Sequence, residues 1–194
     1  MRPRGYIGGA MLALILFLFI GLSQAAEFTA TTVTKTGELK IPGMVYVKGN
    51  KIRNEIQAAG QTGIHIIRPD KNLMWVILPQ QKTYMEMPLT EEAHQNLLTL
   101  TENQKAKMKK IGTETVNNYA CEKYETTMSH QGKATKFYVW VAPELGMPLK
   151  VVTQNGSFSS EIKDIKTGEV EASLFEPPPG YRKMKMPLSM PPMK

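Results

Sequence analysis

From Phe28 to Ile165 nearly every apolar run is short, β-branched or aromatic, and closed within a few residues by a turn signal. That pattern writes an antiparallel meander and leaves little room for helices. Phe28 to Lys35 alternates through Thr29, Thr31 and Val33, and the next run ends in Met44-Val45-Tyr46-Val47 before a turn at Gly49-Asn50. Ile52 to Ile56 places Arg53, Glu55 and Gln57 on a side expected to face water, with Ile52 and Ile56 inward. Ile64-His65-Ile66-Ile67 runs into Arg68-Pro69-Asp70, where proline presets a turn. Further strands are expected at Thr83 to Met87, Glu114 to Asn117, Cys121 to Met128, Leu149 to Thr153 and Phe158 to Ile165.

Two strands depart from simple alternation. Leu73-Met74-Trp75-Val76-Ile77-Leu78 and Phe137-Tyr138-Val139-Trp140-Val141 are apolar on both alternating sets, so both faces should be covered. One stretch reads as helix. Thr90 caps it, Glu91 and Glu92 suit its positive end, and Ala93, Leu97, Leu100, Met108 and Ile111 trace an apolar stripe at helical spacing. The expected fold is mainly β (α+β): a curled antiparallel sheet of about ten strands forming an unclosed half-barrel, with one inserted helix as lid.

Three segments organise the chain. Arg2 and Arg4 precede an apolar run from Ala10 to Ile20 and then Ser23-Gln24-Ala25, which reads as a signal peptide over residues 1–25. No cysteine follows that run, so lipid attachment there is chemically impossible. Residues 26–181 form one β domain, and 182–194 a cationic Met- and Pro-rich tail. Regular structure is expected to stop before Pro177-Pro178-Pro179, which lack amide donors. Export implies a periplasmic protein.

The single cysteine excludes a disulfide scaffold and a structural zinc site. Cys121 reads as a buried inert thiol, and His65 as a hydrogen-bonded sheet histidine. No HExxH, GxSxG or GxxxxGK[ST] pattern nominates an enzyme, and no cofactor is implied. The formal charge of +7 invites a nucleic-acid reading, but the cations do not interleave with aromatics on one face, and an anionic lipid surface fits better.

Methionine carries more information, because 13 are present and several fall on expected strands. Thioethers are pliable fillers suited to lining a cavity. They are also soft ligands, and Met184, Met186, Met190 and Met193 supply an alternative site for Cu(I) or Ag(I).

The strand Val45 to Lys48 with Gly49-Asn50-Lys51-Ile52-Arg53, then Asp70-Lys71-Asn72-Leu73-Met74-Trp75, and the closing Leu174-Phe175-Glu176-Pro177-Pro178-Pro179-Gly180 carry a resemblance. Together they resemble the LolA/LolB-like lipoprotein carrier superfamily. Within it the chain is most similar to an uncharacterised exported bacterial group (domain of unknown function 4412), through Ile67-Arg68-Pro69-Asp70-Lys71, Tyr84-Met85-Glu86-Met87-Pro88 and Gly112-Thr113-Glu114. The resemblance implies an unclosed β-barrel whose helical lid covers an apolar cavity for acyl chains. Gly49-Asn50 stands where the carriers place Arg-Pro, so it implies lipid binding more firmly than lipoprotein transfer.

The expectation is therefore a non-enzymatic, monomeric periplasmic binding protein for acyl chains, touching membranes transiently, with lipid or acylated protein as partner. Its ligand would be lined by Met44, Tyr46, Ile66, Met74, Trp75, Ile77, Met85, Met87, Leu97, Tyr138 and Trp140. A Met-based Cu(I)/Ag(I) binder and a protein-interaction module sensing envelope stress are the alternatives.

Overall fold

Short β-branched runs separated by turn residues fold as consecutive hairpins, because each strand can bury one face only against a neighbour that is close in sequence. The computed structural model describes residues 26–58, 60–89, 105–130 and 133–184. The first run of hairpins comprises β1 (Glu27–Thr36), β2 (Leu39–Lys48), β3 (Lys51–Ala58), β4 (Gln61–Arg68), β5 (Leu73–Leu78) and β6 (Thr83–Pro88). The second comprises β7 (Lys109–Val116), β8 (Tyr119–His130), β9 (Lys133–Ala142), β10 (Met147–Thr153) and β11 (Phe158–Thr167), followed by β12 (Arg182–Met184).

All of them join one 12-stranded sheet in the order β12-β6-β5-β4-β3-β2-β1-β11-β10-β9-β8-β7, whose outer strands do not pair with each other. The half-barrel expectation holds in this form. Curl is visible in one contact: Asn117, at the β7–β8 turn, donates its amide to the Ile162 carbonyl of β11 at 2.6 Å, although β9 and β10 lie between those strands in the ladder. A flat sheet could not make that contact.

Two turns repeat one device. The 3-10 turns Pro69–Lys71 and Pro79–Gln81 each begin on proline and end on a left-handed residue, Asn72 at φ 52° and Lys82 at φ 48°. In both, the amide of that residue donates to the proline carbonyl at 3.1 Å. Gly43 on β2 is needed for a different reason. A Cβ there would lie 2.5 Å from the Glu55 carbonyl oxygen and 2.5 Å from Thr32 Oγ1, so β1, β2 and β3 could not close up around a larger residue.

The main core joins both runs, with Phe28, Val45, Val47, Ile52, Ile67, Cys121, Leu149 and Ile162 all buried. Each such side chain contributes about 1.5–3 kcal/mol relative to exposure. Burial pushes the Cys121 thiol up, in keeping with an inert core group.

Four expectations need correction. The strand expected at Glu114 begins at Lys109, so Ile111 lies on β7 and is 42% exposed rather than on a helical stripe. Lys105 and Ala106 are helical, but Lys109 and Lys110 pair with Glu125 and Tyr124 of β8, and that ladder overrides the helical spacing. The sheet does not stop before the prolines: β12 returns beyond Gly180 and pairs parallel with β6. Arg53 does not face water but is buried. The signal peptide, Leu97 with most of the expected helix, and Met186, Met190 and Met193 lie outside the described residues.

Candidate functional site

Because cross-strand partners share a face, the register sorts the expected ligand residues. Tyr46, Arg53, Ile66 and Trp75 are opposed in turn across β2 to β5, and Glu86 of β6 continues the row. Met44 lies on this face of β2, and Ile77 on the same face of β5. The opposite face carries Ile67, Met74 and Met87 in one row and Asn54, His65, Val76, Met85 and Met184 in the next.

The first face is sealed by the chain itself. After β11 the segment from Val170 to Tyr181 crosses it as a strap, and Val170 and Phe175 are buried against Ile64, Ile66, Trp75 and Ile77. Cations from the sheet hold the strap by its backbone. Lys48 donates to the Val170 carbonyl at 2.9 Å, Arg53 to that of Leu174 at 3.0 Å, and Arg68 to that of Phe175 at 2.9 Å. Carbonyls of an irregular segment would otherwise be buried without donors, and ionised donors satisfy them strongly.

Arg68 is the hub. Its Nε and Nη2 donate to the two Asp70 oxygens at 2.8 and 2.7 Å, and Nη1 also pairs with Glu176, which accepts from Lys71 at 2.9 Å. The Arg68 fork holds the Asp70 carboxyl down to about 2. Burial opposes ionisation of Glu176, but hydrogen bonds from Lys71 and Arg68 prevail and keep it below its ordinary value. Lys71 and Arg68 lie 5.1 and 5.9 Å from the centre of the Trp75 ring, and Trp75 Nε1 donates to Glu86 at 3.0 Å. Trp75, Ile66 and Ile77 are thus fully engaged.

Trp140 is engaged in the same manner on the other half of the sheet. Lys123 and Lys150 sit 4.7 and 5.0 Å from its ring centre, Nε1 donates to Glu114 at 2.7 Å, and Tyr138 meets it edge to face at 6.5 Å. The tryptophans expected to line a cavity are packed against their own chain.

The second face carries the main core through Val47, Ile52 and Ile67, and Met74, next in that row, packs against it. Met74, Val76, Leu78, Met85 and Met87 are half-buried and adjacent on β5 and β6. Leu78 continues into a depression of about 240 Å³, lined also by Ile56, Ala58, Gln61, Thr62, Gly63, Gln80 and Gln81. Two buried polar atoms on this face, Asn54 Oδ1 and Thr83 Oγ1, have no hydrogen-bond partner among the described residues. His65, opposite Asn54, has its pKa pushed down by burial. Of the expected ligand residues that the structure describes, Met74, Met85 and Met87 come together here. Val76, Leu78, Asn54 and Thr83 were missed, although pairing Leu73–Leu78 against its neighbours would have separated the two sets.

Among the described residues no group of three or more His, Cys, Asp or Glu could hold a metal, and no helix is long and apolar enough to cross a membrane.

These features define a class: an open, curled β-sheet protein with one face strapped shut and the other carrying the main core and, at its β5–β6 end, a half-buried apolar surface. The model of a domain of unknown function (DUF4412) matches residues 27–147, and the chain belongs to that family. An uncharacterized conserved protein from Thermus thermophilus has a similar structure, with 16% identity, a TM-score of 0.55, and coverage of 84% of this chain and 91% of that one. MucB of the Pseudomonas aeruginosa MucA/MucB complex matches at 12% identity and TM-score 0.47, over 77% of this chain and 54% of that one. A DUF1329 family protein from Desulfovibrio piger matches at 14% identity and TM-score 0.38, over 80% and 91%. The first likeness concerns the fold alone, and the other two are too loose to argue from. No curated protein matches the sequence.

Proposed function

We propose that the protein is a non-enzymatic binding module of the bacterial periplasm that takes an acyl chain, or a hydrophobic ligand of similar shape, against Met74, Val76, Leu78, Met85 and Met87. The observation that carries this reading is the half-buried apolar patch these residues form on an open sheet, continuous at Leu78 with the depression beyond it. Covering roughly 300 Å² of such surface at about 25 cal/mol per Å² offers about 7 kcal/mol before the cost of ordering the ligand. Methionines suit a ligand of variable shape because their side chains repack at little cost.

Asn54 Oδ1 and Thr83 Oγ1 add a polar element, since a buried acceptor and hydroxyl without partners among the described residues favour a ligand bearing an amide, ester or hydroxyl. The leader-like residues 1–25 support export, and the likeness to the LolA/LolB carriers supports lipid as the ligand class.

The test is titration of delipidated full-length protein with a dansylated fatty acid. Val76→Asp should weaken binding at least tenfold, while Leu39→Asp, at a remote residue 59% exposed, should leave it unchanged. No binding by the unsubstituted protein, or equal binding by both variants, would overturn the reading.

A further inference from the structure

Four of the 13 methionines, Met74, Met85, Met87 and Met184, come from three strands to one face of the sheet edge. Met74 stands directly opposite Met87, Met85 stands opposite Met184, and Met85 and Met87 are two residues apart on β6. The opposite face is fixed by hydrogen bonds, because Lys183 and Trp75 both donate to the Glu86 carboxylate, at 2.7 and 3.0 Å. Alternation then places their neighbours Met184, Met74, Met85 and Met87 together on the other side. The short strand that brings Met184 there is anchored: the Arg182 amide donates to the Lys82 carbonyl at 3.0 Å.

We infer that this edge is a thioether site for a soft monovalent cation, Cu(I) or Ag(I). Met85 stands opposite Met184 on the adjacent strand and Met87 lies two residues along on the same face, so with three rotatable bonds each the sulfurs of Met85, Met87 and Met184 can converge on one ion, while Met74, opposite Met87 and packed against the main core, borders the site. Soft thioethers select Cu(I) and Ag(I) over the divalent ions that prefer imidazole and carboxylate. His65, the histidine on this face, is separated from Met85 by Val76 and is outside the ligand set. Met184 is 37% exposed, which leaves the ion an entry path. Thioethers carry no proton to displace at neutral pH, so affinity is flat with pH, unlike that of a histidine, cysteine or carboxylate site.

Full-length protein is titrated with Ag(I), and under anaerobic conditions with Cu(I) against bathocuproine disulfonate. One ion should bind per chain with affinity constant within twofold from pH 5.5 to 8. Met85→Leu and Met184→Leu should each weaken it at least tenfold, and leucine at Met85, Met87 and Met184 together should abolish it, since leucine keeps the volume and removes the sulfur. Should that triple variant fail to fold, Met184→Leu alone decides, because that residue is exposed. Leucine at Met186, Met190 and Met193 should leave affinity within threefold. Binding that survives Met184→Leu, disappears when only those three are changed, or falls steeply with acid would overturn the inference. Met184→Leu should not alter fatty-acid binding, so the cation site and the acyl reading fail separately.

Discussion

Arg68 donates to the backbone carbonyl of Phe175 at 2.9 Å across 107 residues of chain, joining the end of β4 to the strap that crosses it. The same guanidinium forks onto Asp70, so one side chain fixes both the turn after β4 and the path of residues 170–181. Arg68→Leu should cost about 2 kcal/mol in chemical denaturation, chiefly because the Phe175 carbonyl is left buried without a donor. Arg68→Lys should recover less than half of that, since an ammonium cannot span both Asp70 oxygens and the carbonyl.

Phe175 is fully buried against the β4–β5 face. Phe175→Ala should destabilise by about 3–5 kcal/mol. In a Trp140→Phe background, the fluorescence of Trp75 reports the strap directly. It should shift to longer wavelength in Phe175→Ala before global unfolding, and an unchanged spectrum would show that Trp75 is covered without the strap.

Acid should loosen both the strap and the β7–β8 pair. Asp70 and Glu122 are held down to about 2, Asp70 by the Arg68 fork and Glu122 first by Lys110, and Glu176, Glu86 and Glu114 also lie below their ordinary values. Each folded value is depressed, so the unfolded chain binds more protons in acid. Their stabilisation is complete above about pH 5 and is lost as pH falls from there toward 2. His65 is depressed by burial, so its contribution declines earlier, from about pH 6.5 downward. Denaturation midpoints from pH 8 to 2.5 should show both parts, and His65→Gln should remove only the earlier one.

Gly43→Ala should cost about 1–3 kcal/mol, because the added carbon meets a backbone oxygen of β3 as well as Thr32 Oγ1. Thr32→Ala in the same chain should return only part of the loss, since the Glu55 carbonyl cannot withdraw without breaking the β2–β3 ladder. Thermal unfolding of the two variants checks this.

The hairpins from Phe28 to Met87 were legible because period-2 alternation and turn residues such as Gly49-Asn50 and Arg68-Pro69-Asp70 act locally. The strap was not legible. Pro177-Pro178-Pro179 announces that amide donors are missing, but not that carbonyls of Leu174 and Phe175 are met by arginines more than 100 residues upstream. The covering of Trp75 by the strap was hidden for a related reason. A bulky aromatic on a two-faced strand signals coverage without saying whether ligand or chain supplies it. The three methionines that did meet were found by residue type, and Val76 and Leu78 were overlooked because they carry no such mark.

The place of β1 in the sheet bears on how the molecule assembles. Its first strand sits between β2 and β11, and Thr31 finds its Lys163 partner 132 residues later. Hairpins β1 to β6 can zip up in sequence, but the seam between β1 and β11 closes only once the far end of the polypeptide is present. Pairing at such separation is slow because loop entropy is lost before contacts repay it. A half-finished sheet with β1 as a naked border is therefore the species most open to proteases and to mispairing with another copy.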